Sequence, residues 1–105
     1  MKRISIIVPM LNEATQLPAL FADLLPLQRM DCEIIFADGG SADGSANLAE
    51  VAGFKVVHSE CGRAVQMNTG AAQASGEVLL FLHADTRLPE SGLRDVAAAI
   101  DSNNG

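Results

Sequence analysis

Four short apolar runs, separated by stretches with helical spacing, constrain the fold of this chain more than any other feature. Residues 4–8 read Ile-Ser-Ile-Ile-Val, a β-branched run too short for a helix and too continuous for a half-exposed strand, which predicts a strand buried on both faces. The period then changes. Leu17, Leu20, Phe21, Leu24 and Leu25 fall at i, i+3, i+4, i+7 and i+8, one apolar stripe of a helix with Pro18 in its first turn and Pro26 at its end. Residues 32–37, 54–59 and 78–82 predict three more strands. Between them, 43–52 predicts a short helix that starts at Asp43 or Ser45 as cap and ends at Gly53. Residues 62–75, rich in Ala and Gly, predict a helix able to lie very close to a sheet, with Gly76 ending it. A last helix is predicted over 89–100, with Leu93, Val96, Ala97 and Ile100 inward, before a polar end at 102–105.

The order βαβαβαβα calls for an α/β fold: a Rossmann-like parallel sheet with right-handed crossovers and helices on both faces. Ligands of such sheets bind at the carboxyl ends of the strands. The 105 residues, 49% of them hydrophobic, fit one soluble globular domain over 1–105. Thirteen acidic residues against seven basic ones give a formal charge of -6, which argues against nucleic acid or an anionic membrane as partner. Cys32 and Cys61 are too few for a disulfide framework, so reduced thiols and a cytoplasmic setting are expected. His58 and Cys61 do not make a four-ligand zinc set. Lys2 and Arg3 ahead of an apolar run resemble the start of a signal peptide, but Pro9, Asn12 and Glu13 cut that run short. No apolar run approaches the ~20 residues needed to cross a bilayer.

The predicted strand ends carry the chemistry. After the fourth strand stand His83, Ala84 and Asp85. A carboxylate there can hold Mg²⁺ or Mn²⁺ over a phosphorylated ligand, with His83 as a second ligand or an outer partner; the plainer reading is an Asp-Thr-Arg turn. After the second strand, Asp38 leads into Gly39-Gly40-Ser41-Ala42-Asp43-Gly44-Ser45. The glycines permit close backbone approach, and Asp38 could accept hydrogen bonds from a base or ribose, or simply open a turn. This loop lacks both the P-loop Lys-Ser/Thr and the GxGxxG pattern. Arg63 stands near the start of the third helix, where its charge opposes the helix dipole. It suits an anionic diphosphate beside helix-start amides, or pairing with Glu60. Pro9, Asn12 and Glu13 close the first strand. Gln66 and Asn68 are polar on a small-residue helix and can face water.

Taken together, IIVPMLNE, FADGGSADGS and GRAVQMNTGAAQASGEVLLFLHADT resemble the donor-binding half of family 2 glycosyltransferases of the GT-A fold, over nearly the whole span 4–89. The resemblance implies that Pro9 and Glu13 border the nucleotide pocket, that Asp38 contacts the base, and that Arg63 lies near the diphosphate. The family's Asp-X-Asp motif corresponds to His83-Ala84-Asp85, with Asp85 the principal metal ligand. Two departures stand out: the common Asp-Asp-Gly-Ser is Asp38-Gly39-Gly40-Ser41 here, and Asp-X-Asp is His-Ala-Asp. The HADT form with GRAVQMN looks like a bacterial subgroup.

The implied reaction is inverting transfer of a sugar from a nucleotide-diphosphate sugar to an acceptor hydroxyl, with a divalent metal. The acceptor surface and the general base are expected beyond Gly105, so donor binding without transfer is expected of these 105 residues, as is self-association through an uncovered sheet edge. The sugar, base and acceptor are not readable. Two other readings stay open. One is a non-catalytic nucleotide-binding or regulatory module; the other is a sugar-phosphate nucleotidyltransferase, which generally needs a Gly-rich, basic loop where Asn12-Glu13 stands.

Overall fold

The computed structural model describes residues 4–30 and 32–84. Its elements are β1 (Ile4–Met10), α1 (Leu17–Gln28), β2 (Cys32–Asp38), α2 (Ser45–Val51), β3 (Lys55–His58), α3 (Arg63–Ala72) and β4 (Val78–Phe81). All strands are parallel, in the order β3-β2-β1-β4. The sequence thus steps outward from β1 to β3, then returns across β1 to place β4. With crossovers of one hand, that reversal puts α1 and α2 on one face and α3 on the other. The helix expected over 89–100 and the polar end at 102–105 lie outside the described residues.

β1 is the buried centre: Ile6, Ile7 and Val8 are fully inaccessible, as its unbroken β-branched run predicts. It continues two residues past the predicted end, through Pro9 and Met10, in register with Ala37 and Asp38. A proline inside a central strand is unusual because it removes a ladder donor. Pairing with β4 stops at Ile7↔Phe81, so Pro9 lies beyond the reach of that neighbour and no ladder bond is lost.

On the α1 face, Ile6, Val8, Ile34 and Phe36 pack with Leu17, Leu20, Leu24, Leu27 and Phe54. Phe36 meets Phe21 edge-on at 5.7 Å and Phe54 at 5.3 Å between ring centroids. Pro26 does not end α1 but sits inside it. The lost hydrogen bond would have gone to Ala22, whose exposed carbonyl end water can satisfy, while buried Leu27 extends the apolar stripe and holds the last turn down.

The opposite face is built for close approach. A Cβ on Gly70 of α3 would lie 2.5 Å from Ile7 Cγ2 and 3.6 Å from Ala37 Cβ, so the helix rests almost directly on β1. The predicted small-residue helix is therefore present, although it ends at Ala72. Gly76 does not terminate it. Its amide donates to Ser5 Oγ at 2.8 Å, and a Cβ there would lie 2.7 Å from the Ser5 amide nitrogen, so the residue must be Gly for the chain to pass β1. Glu33 completes this corner, accepting from Ser5 Oγ, Ser75 N and Ser75 Oγ. At the sheet edge, β4 exposes Val78, Leu79 and Phe81. Among the described residues no helix is long and apolar enough to cross a membrane.

Two outcomes follow from this packing. Gly70→Ala should destabilise the protein by about 1–3 kcal/mol in urea unfolding, because the added methyl overpacks a rigid strand; Ile7→Ala should relieve part of that loss in the double variant. Glu33 is subject to partial desolvation, which raises its pKa, but hydrogen bonds from Ser75 and Ser5 and the charge of Lys55 outweigh this, leaving the carboxyl below its ordinary value. Its contribution is therefore full above the normal glutamate range and lost as pH falls through the lowered pKa. Urea midpoints of Glu33→Gln and the parent should differ at pH 7 and draw together as the pH falls below the ordinary glutamate range and through the lowered pKa.

Candidate functional site

A cleft of about 250 Å³ opens at the carboxyl ends of β1 and β4, lined by Pro9, Met10, Leu11, Glu13, Cys61, Gly62, Arg63, Gln66, His83 and Ala84. Its place follows from topology. β1 sends its chain toward α1 on one face of the sheet while α3 starts on the other, and the strand order reverses between β1 and β4, which leaves a crevice there. Four of the predicted site residues (Pro9, Glu13, Arg63 and Ala84) and His83 thus come together. Asp85 lies outside the described residues.

Asp38 is placed differently. It is 3% exposed and is not on the cleft wall. Its Oδ2 accepts from Gly40 N at 3.1 Å and Ser41 N at 3.0 Å, and its Oδ1 accepts from the Ser41 hydroxyl. The carboxylate therefore shapes its own loop, as the turn reading of this segment anticipated.

That loop is stitched to the one after β1. Asn12, at φ +54°, receives Ala42 N on its Oδ1 at 2.8 Å, and its own amide donates to Ser41 Oγ at 2.9 Å. Glu13 N donates to Ser45 Oγ and Ala14 N to Asp43 Oδ2, each at 3.0 Å. Asp43 also accepts from Ser45 N, so it holds the first amide of α2 from one residue outside the N-cap, which is Gly44 and not the expected Asp43 or Ser45, while reaching across to the first loop. The Ser45 hydroxyl bond, then the Ala14 amide, hold its carboxyl below the ordinary range. Asp43 and the two loops it joins form one rigid rim of the cleft.

The other wall is the start of α3. Gly62 has φ +144°, a backbone state side chains rarely adopt, and it turns the chain into the helix with Arg63 as the first helical residue. First-turn amides have no intrahelical acceptor and the dipole favours negative charge, so this end suits an anion.

Gln66 is the functional residue that sequence reasoning missed. It does not face water: it is 4% exposed. Its Nε2 donates to Met10 O and Ala37 O, both at 2.9 Å, and its Oε1 accepts from Gly62 N at 3.1 Å. The signal was present. Gln66 lies four residues before Gly70, on the helix face that meets the sheet, and four after the turn glycine, where its carboxamide can reach back to the helix start. Gly39 belongs to the same contact, since a Cβ there would stand 2.7 Å from Gln66 Cδ.

For a divalent metal the described residues supply His83 but no group of three His, Cys, Asp or Glu side chains. One imidazole on the wall, followed two residues later by Asp85, gives the mixed nitrogen and carboxylate donor set that Mn²⁺ accepts alongside phosphate oxygens.

A parallel sheet with its crevice at the point of strand reversal, walled by a helix start and an arginine, defines a protein of the doubly wound α/β class. Residues 5–105 match the family described as Glycosyl transferase family 2, and the chain belongs to that family. It is 36% identical over 104 residues to a PGL/p-HBAD biosynthesis glycosyltransferase of Mycobacterium bovis, covering 91% of this chain and 41% of that protein. It is 31% identical over 99 residues to an undecaprenyl-phosphate 4-deoxy-4-formamido-L-arabinose transferase of Aeromonas hydrophila, covering 84% and 30%. The chain thus spans less than half the length of these relatives. Among solved structures, S. aureus TarS superposes with a TM-score of 0.76 at 27% identity, covering 97% of this chain and 33% of that one. Glucosyl-3-phosphoglycerate synthase from Mycobacterium tuberculosis, in complex with Mn²⁺, UDP and phosphoglyceric acid, superposes with a TM-score of 0.75 at 26% identity, covering 84% and 34%. The fold is the nucleotide-binding half of the GT-A architecture.

The stitched rim has a measurable weight. Asn12→Ala loses the acceptor for Ala42 N and places Ala at positive φ, so it should cost about 1–2 kcal/mol in chemical unfolding. Asn12→Gly, which keeps the backbone state, should cost less than Asn12→Ala.

Proposed function

We propose that the protein transfers a sugar from a nucleotide-diphosphate sugar to an acceptor hydroxyl, and that the cleft at the ends of β1 and β4 holds the donor. The observation that carries this reading is the convergence of Arg63, the α3 start, His83 and Glu13 on one crevice at the strand reversal. Family membership and the UDP held by the M. tuberculosis synthase agree with it. The diphosphate lies against Arg63 and the first-turn amides of α3. The nucleoside extends toward the rim formed by Pro9, Glu13 and the Asp38 loop, which is where a base contact by Asp38 would be made.

Transfer would proceed by attack of the acceptor oxygen on the sugar C1 as the bond from C1 to the diphosphate oxygen breaks, inverting that centre. The acceptor proton passes to a base outside these residues. Arg63 is the group here that meets the charge developing on the leaving diphosphate, aided by the helix-start amides. A bound Mg²⁺ or Mn²⁺, held by Asp85 with His83 beside it, would neutralise further diphosphate charge. On this reading these residues contribute the donor site, and binding without transfer is the expected behaviour of the 105-residue chain. The exposed edge of β4 is the surface through which self-association would act.

Calorimetric titration with a panel of nucleoside diphosphates, starting from UDP, tests this. Arg63→Ala should weaken the best ligand about tenfold, equivalent to about 1.4 kcal/mol, while leaving the matching nucleoside unchanged. Asp85→Ala should abolish the gain in affinity that Mn²⁺ gives the parent. Absence of binding by every nucleoside diphosphate would overturn the reading, as would equal losses for diphosphate and nucleoside.

A further inference from the structure

Gln66 ties together three of the segments that border the cleft that the preceding reading assigns to the donor. One carboxamide joins the end of β1 through Met10 O, the end of β2 through Ala37 O, and the start of α3 through Gly62 N. Its two N–H groups each have a carbonyl acceptor and its oxygen has a donor, three of the four hydrogen bonds a primary amide can make. The main chain of the same residue also donates to Gly62 O at 2.8 Å. Gly62 is therefore held by Gln66 through both its amide and its carbonyl. Arg63 follows it directly, so the direction in which Arg63 and the first-turn amides leave the sheet is fixed by this contact.

Space around the amide is equally restricted. A Cβ on Gly39 would come within 2.7 Å of both Cδ and Oε1 of Gln66. The carboxamide occupies the volume that any side chain at position 39 would need. Gln66 and Gly39 are one unit: the small residue leaves room, and the long one fills it and spans to the helix.

We propose that Gln66 is a positioning residue for the donor diphosphate, its buried carboxamide setting where Arg63 and the α3 amides stand relative to the ends of β1 and β2. This rests on the donor-site reading given above. No other common side chain supplies the same bonds from this position. Glutamate offers carboxylate oxygens to two carbonyls; methionine keeps the length and loses every hydrogen bond; asparagine is one methylene short.

The test uses Gln66→Met, Arg63→Ala and the double variant, titrated with UDP and with uridine, together with thermal unfolding. Gln66→Met should weaken UDP roughly tenfold, as expected when a charged group is displaced from its working position, and leave uridine within about twofold. In the double variant the UDP loss should not exceed that of Arg63→Ala by more than about twofold, because both changes remove the same contact. A structural role alone would lower the unfolding temperature and weaken both ligands alike, and that result overturns the proposal. Losses that multiply in the double variant, or unchanged UDP affinity, overturn it too. Should Gln66→Met not fold, Gly39→Ala displaces the same amide from the other side. It must then reproduce the selective loss of UDP, and equal weakening of both ligands refutes the proposal. If the parent binds uridine but no nucleoside diphosphate, the donor reading fails and takes this inference with it. Retained Arg63 dependence with an inert Gln66 defeats the positioning role alone.

Discussion

The carboxyl edge of this sheet depends on how closely α3 lies against β1. Gly70 rests on Ile7 with no room for a methyl group between them, so no layer of side chains separates helix from strand there. One turn earlier on the same face, Gln66 is carried near enough to hydrogen-bond the main chain at the ends of two strands. A helix held off by ordinary side chains would leave those carbonyls out of reach of its first turn. The packing of small residues deep on the sheet and the placement of a cation at its rim are thus parts of one geometric condition, the first propagated to the second along the rigid axis of a ten-residue helix.

Topology supplies the crevice, and hydrogen bonding makes its two sides unlike each other. Beyond β1 and β2 the loops run to the same side and are sewn together through Asn12, Ser41, Asp43 and Ser45. That rim is polar, short-ranged and held by several bonds between segments about thirty residues apart in sequence. Opposite it, His83 and Ala84 follow β4, and among the described residues no strand pairs with the far edge of β4. On the donor-site proposal, a ligand entering here would meet a hydrogen-bonded wall on its nucleoside side and the helix start beneath its charged portion, an arrangement that would order little backbone on binding.

Most of the architecture was legible because periodicity reports burial. The β-branched run at Ile4 and the stripe from Leu17 to Leu24 each announce one surface, and that surface is what tertiary structure buries. The errors fall where a residue's role depends on a partner distant in the chain. Gly76 reads as a helix terminator, but its smallness serves Ser5, seventy-one residues away. Pro26 reads as a stop because proline lacks an amide, yet burial of Leu27 holds the final turn of α1 against that loss. Gln66 reads as surface because glutamines usually are. Its burial requires two strand-end carbonyls able to accept its amide, one of them Met10 O shared with Gly39 N, and a glycine at position 39, none of which local pattern reveals. Among the site residues, Pro9, Glu13, Arg63, His83 and Ala84 come to one cleft because each lies just past a predicted strand or at a predicted helix start. Asp38 also follows a strand, but its carboxylate accepts from three donors of its own loop and is not on the cleft wall.

The two departures from the common family pattern acquire a physical meaning in this setting. Where Asp-Asp-Gly-Ser would place a second acid, position 39 is Gly, and the Gln66 carboxamide fills the space beside it. Where Asp-X-Asp would place a first acid, position 83 is His, on the cleft wall. Each change removes a carboxylate from the edge where the proposal places an anionic ligand. A chain of formal charge -6 repels a diphosphate at long range, and within a partly desolvated crevice each nearby carboxylate adds to that cost. Removing two acids therefore shifts the local balance toward Arg63 and the α3 amides without adding a single basic residue. The polar bonds that a carboxylate at position 39 would have provided are recovered by an uncharged amide, which ties the strand ends to the helix while leaving the field of the arginine uncancelled.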